Sequence, residues 1–143
     1  MRKGRVSLPG QIYHVTAATM QRKPVFSDFD LACAAARAFA DRSVLGDASL
    51  LSWVLMPDHA HWLLQLGGDA LPALVNRLKC ASARHVNRVC GTTGPVWARA
   101  YHDHAVRRDE DVRVLATYII ANPLRAGLVE RVADYPFWDA CWL

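Results

Sequence analysis

The sequence has no hydrophobic run long enough to cross a membrane and no paired cysteine motif. Its longest apolar run, residues 50–57, is interrupted by Ser52, whereas a membrane-spanning helix needs about 20 apolar residues. Four cysteines occur without any Cys-x-x-Cys pair, which argues against a cysteine zinc site. They are Cys33, Cys80, Cys90 and Cys141. We expect free, buried thiols in a reducing, cytoplasmic compartment, because the basic start has no apolar segment behind it.

Glycine-rich phosphate loops are also missing. Neither a GxxxxGK loop nor a GxGxxG turn occurs, which argues against an ordinary nucleoside triphosphate or dinucleotide site. The composition is that of a folded chain, since 52% of the 143 residues are hydrophobic and 21% are charged. These proportions favour a single domain over residues 1–143.

Acidic residues are scarce in two segments of the chain. Residues 1–25 carry five basic and no acidic side chains, and residues 77–108 carry seven basic side chains against one acidic. Such clustering within a net charge of +4 fits a surface that binds a polyanion. Ordinary solubilising charge explains the clustering equally well, so both interpretations stay open.

The order of predicted elements indicates an α+β fold. Alternating or β-branched patterns predict four strands, over residues 11–19, 50–56, 59–66 and 97–106. Capping, proline and glycine signals predict three helices, over residues 31–44, 72–90 and 109–123. Ser27 and Asp69 are the expected N-caps of the first two helices. The order β-α-β-β-α-β, followed by a helix, predicts a ferredoxin-like split βαβ unit with helices on one face of an antiparallel sheet.

Two His-x-His pairs lie on predicted strands. Side chains two positions apart in a strand point to the same face, so His59 and His61 could together grip one divalent cation. Two histidines buried without partners on this very apolar strand would be costly. His102 and His104 have the same spacing. The second pair suits a metal element, a DNA-facing patch or half-exposed polar residues, and spacing alone does not decide between them.

The third predicted helix carries a tyrosine at the margin of its apolar face. At about 100° per residue, Tyr118 lies roughly 110° from the centre of the apolar stripe. Asn122 follows four residues later and projects on nearly the same side. A phenol and an amide oxygen one turn apart could address one metal-bound phosphate. The alternative is an amphipathic tyrosine and an asparagine that ends a helix before Pro123.

The second predicted helix has a basic stripe. Arg77, Arg84 and Arg88 fall within roughly 40° of one another around the helix axis. Such a stripe suits contacts to DNA phosphates, although a solvated helix face would have the same pattern.

Several segments together resemble a known family. Residues 56–64 read Met-Pro-Asp-His-Ala-His-Trp-Leu-Leu and resemble the HUH motif of single-tyrosine transposases. Residues 118–129 resemble the catalytic helix and following turn of that family, and residues 10–16 and 94–107 resemble its first and fourth strands. Within the family, the chain is most similar to the REP-associated tyrosine transposases, which lie beside repetitive palindromes in bacteria.

The resemblance implies a metal-dependent endonuclease and strand transferase that acts on single-stranded or hairpin DNA. His59 and His61 would hold Mg²⁺ or Mn²⁺ with Asn122 as third ligand, and Tyr118 would attack the phosphate to give a 5′-phosphotyrosine. DNA contacts are expected from the basic residues Arg77, Arg84, Arg88, Arg99 and Arg107. A cytoplasmic, nucleoid-associated monomer or homodimer is expected, with no membrane partner.

Two other functions remain open at this point. One is a hairpin-binding protein whose active site is degenerate and which therefore has no metal requirement. The other is a His-x-His metal hydrolase acting on small substrates. That enzyme would need further carboxylate or histidine ligands, which the strand after His61 does not offer.

Overall fold

The computed structural model describes residues 8–107 and 110–142, and its sheet is antiparallel. Within these residues five strands pair in the order β4-β1-β3-β2-β5. They are β1 (Ile12–Ala18), β2 (Ser49–Met56), β3 (His59–Gln65), β4 (His102–Ala105) and β5 (Trp138–Ala140). Strand β3 lies between β1 and β2, as a split βαβ unit requires. The predicted α+β fold class is therefore confirmed.

Over the same described residues, five α-helical segments connect and cover the strands. They are α1 (Phe29–Phe39), α2 (Arg42–Leu45), α3 (Leu71–Cys90), α4 (Val112–Ile120) and α5 (Asn122–Arg125). Carboxylates fix where α1 and α4 begin. The Asp28 side chain accepts hydrogen bonds from the first backbone N–H groups of α1, and Asp111 does the same for α4. Each cap satisfies donors that have no partner inside the helix.

Helices α1 and α3 pack on one face of the sheet around Trp62. This side chain is fully buried, and its ring meets that of Phe39 on α1 edge-on, with centroids 5.3 Å apart. The Trp97 ring lies 5.7 Å from the Trp62 ring. The Trp97 indole donates to Ser82 Oγ of α3 at 2.9 Å. Aromatic packing and one buried hydrogen bond thus hold both helices against the central strands.

Helix α4 lies on the opposite face. Ser52 stands opposite Leu63 in the β2–β3 register, and Ser52 Oγ donates to the Ala116 carbonyl of α4 at 3.3 Å. Leu63 and Leu64 are successive residues of β3 and both are fully buried, so both faces are covered there. The prediction of helices on one face therefore holds for α1 and α3 but not for α4.

Several predicted boundaries are corrected. The first helix stops at Phe39 because Asp41 caps a separate short helix, α2, and Asp28 rather than Ser27 is the N-cap of α1. Asp69 does not cap α3, because it pairs with Arg77 instead. The fourth strand covers only β4, and Trp97 makes an isolated bridge to Thr19.

The C-terminal third also differs from the prediction. Helix α4 ends at Ile120, and Pro123 occupies the first turn of α5, where its missing N–H costs nothing. The predicted helix start at Asp109 lies outside the described residues. Strand β5 was not predicted, since three residues are too few to show an alternating pattern.

The cysteines are free, as predicted, but they are not buried. Cys33 is half-buried, and the other three are exposed. In the described part of the chain, no helix combines the length and apolar character that a membrane crossing demands.

Candidate active site

His59 and His61 lie on the face of β3 that points toward α4. In the β1–β3 register, Ala18 faces His59 and Thr16 faces His61. The two imidazole rings are 5.0 Å apart between centroids, at an interplanar angle of 82°. The predicted common direction of this pair is confirmed, because the strand alternates its side chains between faces.

The His59 ring is held by a carboxylate. Its Nδ1 lies 2.8 Å from Asp58 Oδ1, and Asp58 also pairs with the Arg22 guanidinium at 3.2 Å. Burial alone would raise the pKa of Asp58, but the hydrogen bond from His59 and the charge of Arg22 hold that pKa below its usual value. Arg22 and its neighbour Gln21 adopt positive φ angles of 55° and 57°. This uncommon backbone conformation accompanies the placement of Arg22 beside the site.

The His61 ring is held by two side chains of β1. Its Nδ1 lies 2.9 Å from His14 Nε2 and 3.1 Å from Thr16 Oγ1. Burial, followed by the charges of His59 and His14, lowers the pKa of His61 to about 3. The imidazole is therefore neutral near pH 7, which is the form that binds a metal ion.

Each imidazole of the pair has one ring nitrogen available to a ligand. Both rings use Nδ1 for hydrogen bonds within the protein, which leaves Nε2 of each ring as the nitrogen available to a ligand. Asn122 Nδ2 donates to the Ile119 carbonyl at 2.7 Å, so the amide oxygen is its remaining polar group. Across residues 8–107 and 110–142, no three His, Cys, Asp or Glu side chains form a cluster able to hold a metal ion by themselves.

Tyr118 projects from the margin of α4, as predicted. It is 57% exposed, whereas Ala116 and Ile119 on the same helix are buried. The Arg125 guanidinium of α5 lies over its ring, 3.7 Å from the centroid. The charge of Arg125 also contributes, after burial and two histidines, to the lowered pKa of His61. Arg125 therefore acts electrostatically on His61 and also contacts the phenol ring.

The second histidine pair extends the same face. His102 stands opposite Thr16, and His104 stands opposite His14, in the β1–β4 register. Both side chains are exposed, and His104 Nε2 lies 3.1 Å from a carboxylate oxygen of Glu110. Burial lowers the pKa of His14, and the charge of His104 lowers it further. The exposure of His102 and His104 is compatible with a DNA-facing patch as well as with polar surface residues, so the role of this pair stays a prediction.

The arginines predicted to bind DNA occupy different surroundings. Arg77 is engaged within the protein, since its Nε donates to the Val44 carbonyl and its terminal nitrogen pairs with Asp69. Arg84 and Arg88 are exposed on α3, which covers the face of the sheet opposite the histidines. Exposed arginines also flank β4, namely Arg99 and Arg107.

Sequence reasoning missed five side chains of this site. They are His14, Thr16, Arg22, Asp58 and Arg125. The alternation of β1 already places His14 and Thr16 on one face. Because burying two imidazoles without partners is costly, partners such as these could have been expected. Asp58 and Arg125 lie within the segments 56–64 and 118–129, but the sequence does not predict their contacts with His59 and Tyr118. No spacing rule links Arg22 to Asp58, because the position of Arg22 depends on the positive φ angles of Gln21 and Arg22.

Comparisons with known proteins identify similar sequences and similar folds. The chain is 32% identical over 88 residues to the REP-associated tyrosine transposase of Escherichia coli K12, covering 60% of this chain and 50% of that relative. It thus spans about half the length of that protein. A REP-associated tyrosine transposase solved bound to a REP hairpin superposes with a TM-score of 0.69 at 24% identity, covering 96% of this chain and 81% of the other. A candidate transposase from Deinococcus radiodurans gives 0.59 at 27% identity, covering 85% and 97%. The family model described as Transposase IS200 like matches residues 7–122, and the chain therefore belongs to that transposase family.

Proposed function

We propose that this protein cleaves and rejoins single-stranded DNA next to a hairpin, with Tyr118 as the nucleophile. One observation carries the proposal. The side chains of His59 and His61 present their Nε2 atoms on one face of the sheet, and Arg125 contacts Tyr118 while acting electrostatically on His61. A phenol, a guanidinium and two imidazole nitrogens thus lie on the α4 side of the sheet, and this grouping supports the proposal.

Hairpin DNA is the proposed substrate because of the relatives and because of the charge distribution. The structural relative that covers most of this chain was solved with a REP hairpin. The exposed arginines on α3 and beside β4, including Arg84, Arg88, Arg99 and Arg107, can contact backbone phosphates. Arg77 stays a predicted contact whose guanidinium would first have to leave Asp69.

A divalent cation, Mg²⁺ or Mn²⁺, fits the donors at this site. His59 and His61 would supply neutral imidazole nitrogens, and Asn122 would supply its amide oxygen. When bound, such a cation would withdraw negative charge from a non-bridging oxygen of the phosphate. Asp58 keeps the His59 proton on Nδ1, and His14 and Thr16 can do the same for His61 by accepting from its Nδ1.

The proposed reaction exchanges one phosphodiester for another. Tyr118 Oη forms a bond to phosphorus as the phenolic proton is released, and the bond from phosphorus to the 3′ oxygen breaks. The departing 3′ oxygen takes up a proton, and the 5′ phosphate stays on the tyrosine. Attack by another 3′ hydroxyl reverses these steps and joins the strands. Bond energy is conserved in the phosphotyrosine, so the reaction needs no nucleoside triphosphate.

The test is a selection for covalent attachment. A library of DNA hairpins with randomised stems and single-stranded flanks is incubated with the protein and Mn²⁺. Protein–DNA adducts that survive boiling in detergent are then isolated and sequenced. We expect the wild-type protein to enrich a defined hairpin and cleavage position. Tyr118→Phe should bind the enriched hairpin and form no adduct, because the attacking oxygen is gone.

Tyr13→Phe is the matched control for this experiment. Tyr13 is buried on the opposite face of the sheet, so removing its hydroxyl should leave adduct formation intact. An adduct that persists in Tyr118→Phe would refute the role of this tyrosine. Hairpin binding without any adduct from the wild-type protein would favour the function of a non-catalytic hairpin-binding protein.

A further inference from the structure

Arg125 contacts the proposed nucleophile at unusually short range. Its guanidinium carbon lies 3.7 Å from the centre of the Tyr118 ring, well inside the limit of about 6 Å for a cation over an aromatic face. Stacking uses the flat face of the guanidinium. The N–H groups lie in its plane, so they stay available to a further partner while the stack holds the side chain in place.

Arg125 lies on the same side of the sheet as the imidazole pair. Its guanidinium stacks on Tyr118 of α4. Helix α4 packs on the sheet face that carries His59 and His61, as the contact from Ser52 to Ala116 and the β2–β3 register show. The guanidinium therefore stands on the side of the sheet where Tyr118 would meet a substrate.

Arg125 differs from several other arginines of the chain in having no acidic partner within residues 8–107 and 110–142. Arg22 pairs with Asp58, Arg77 with Asp69 and Arg131 with Asp134. An uncompensated guanidinium with its donors free attracts an anion, and its fork matches the two oxygens of a phosphate.

We infer that Arg125 binds the phosphodiester that Tyr118 attacks, and thereby forms a phosphate subsite beside the histidine pair. This inference rests on the proposed function, since it takes Tyr118 to be the nucleophile. Arg125 contacts both the nucleophile and the charged oxygens of the substrate. It neutralises charge on the phosphate and fixes that group within reach of the phenol.

The test measures binding without metal, so that it is separate from activity. The strand enriched by covalent selection is labelled, and its affinity is measured by fluorescence anisotropy in EDTA. We expect Arg125→Ala to weaken binding about tenfold, as expected for loss of one charge-assisted contact. The slope of log affinity against log salt should become shallower by about 0.7, the value for one phosphate on a single strand. Arg37→Ala is the control, because Arg37 is exposed on α1, on the opposite face of the sheet.

A neutral phosphate identifies which group Arg125 touches. A second oligonucleotide carries a methylphosphonate only at the linkage that Tyr118 attacks. The wild-type protein and Arg37→Ala should bind it about tenfold more weakly than the natural strand. Arg125→Ala should lose little further affinity, because the contact has already been removed. If Arg125→Ala has no cooperative thermal unfolding transition, Arg125→Gln replaces it as a neutral side chain of similar reach and should give the same pattern.

The possible results separate the two proposals. One result is that the wild-type protein forms an adduct while Arg125→Ala and the methylphosphonate weaken binding independently of each other. In that case Arg125 only supports the Tyr118 ring, and the phosphate subsite is refuted. If the methylphosphonate has little effect on binding by Arg125→Ala but weakens binding by the wild-type protein, the subsite is established. If no adduct forms with any hairpin, the proposed function itself fails, and this inference fails with it.

Discussion

Single side chains decide which nitrogen of each site histidine can meet a ligand. A neutral imidazole carries one proton, and a hydrogen bond at Nδ1 determines where that proton lies. Asp58 accepts the Nδ1 proton of His59 at 2.8 Å. His61 Nδ1 meets His14 and Thr16 instead. The two rings are thus oriented by different chemistry, a carboxylate in one case and neutral groups in the other.

Removing the Asp58 carboxylate tests this orientation. We expect Asp58→Ala to weaken Mn²⁺ binding about tenfold or more, since the His59 ring loses the partner that orients it. Asp58→Asn should retain most of the affinity, because the amide oxygen still accepts from Nδ1. The measurement is the electron paramagnetic resonance signal of free Mn²⁺ during titration. Asp30→Ala removes an exposed carboxylate from α1 and should bind as the wild type does. Equal affinity in Asp58→Ala would contradict the role of this carboxylate.

His61 also predicts how stability depends on pH in the metal-free protein. Burial lowers its pKa in the folded state from 6.5 to about 3. Below pH 6.5 the unfolded chain therefore binds a proton that the folded imidazole does not, and the free energy of unfolding falls as pH decreases. The contribution is at most about 1.4 kcal/mol per pH unit between the two pKa values. Urea unfolding in EDTA should show a shallower decline for His61→Gln than for the wild type, and parallel curves would refute the assignment.

At the scale of elements, α4 is the short helix that carries Tyr118. It has nine residues, too few to be stable alone in water. Two features therefore hold it: the Asp111 cap and its contact with β2. Asp111 Oδ1 accepts from the backbone N–H groups of Arg113 and Val114, and Ala116 accepts from Ser52. Fraying of the first turn would loosen the helix four to seven residues before the phenol.

Two aspartate caps allow a matched comparison. Asp111→Ala and Asp28→Ala should each lower the free energy of unfolding by about 1 kcal/mol, because each removes an N-cap. Only Asp111→Ala should slow adduct formation at saturating hairpin DNA, since α1 lies on the face away from Tyr118. Chemical denaturation measures the first effect and single-turnover kinetics the second. Equal slowing by both variants would show that α4 has no special connection to the reaction.

For the whole molecule, the sequence was informative where periodicity and local chemistry coincide. The strand order of the split βαβ unit followed from alternation and helix signals, and the exposure of Tyr118 followed from helical geometry. The position of α4 could not be predicted in this way. Leu63 and Leu64 are both fully buried because both faces of the sheet are covered there, but in the sequence they are only part of an apolar run. The approach of Arg125 to Tyr118 depends on α5, a four-residue helix that begins where a proline was expected to end the preceding one.

We expect the two faces of the sheet to have separate roles in DNA binding. Arg84 and Arg88 are exposed on α3, across the sheet from Tyr118, so they can hold a hairpin stem without touching the reacting phosphate. The double variant Arg84→Ala, Arg88→Ala should make the salt slope of hairpin binding shallower by about 1.8, or about 0.9 for each duplex phosphate contact. At saturating hairpin its rate of adduct formation should fall less than twofold. Anisotropy over a salt series and single-turnover kinetics measure these two quantities, with Arg37→Ala as a control for loss of an exposed arginine outside α3. A salt slope equal to that of the wild type would place the stem on another surface, because two lost phosphate contacts cannot leave counterion release unchanged.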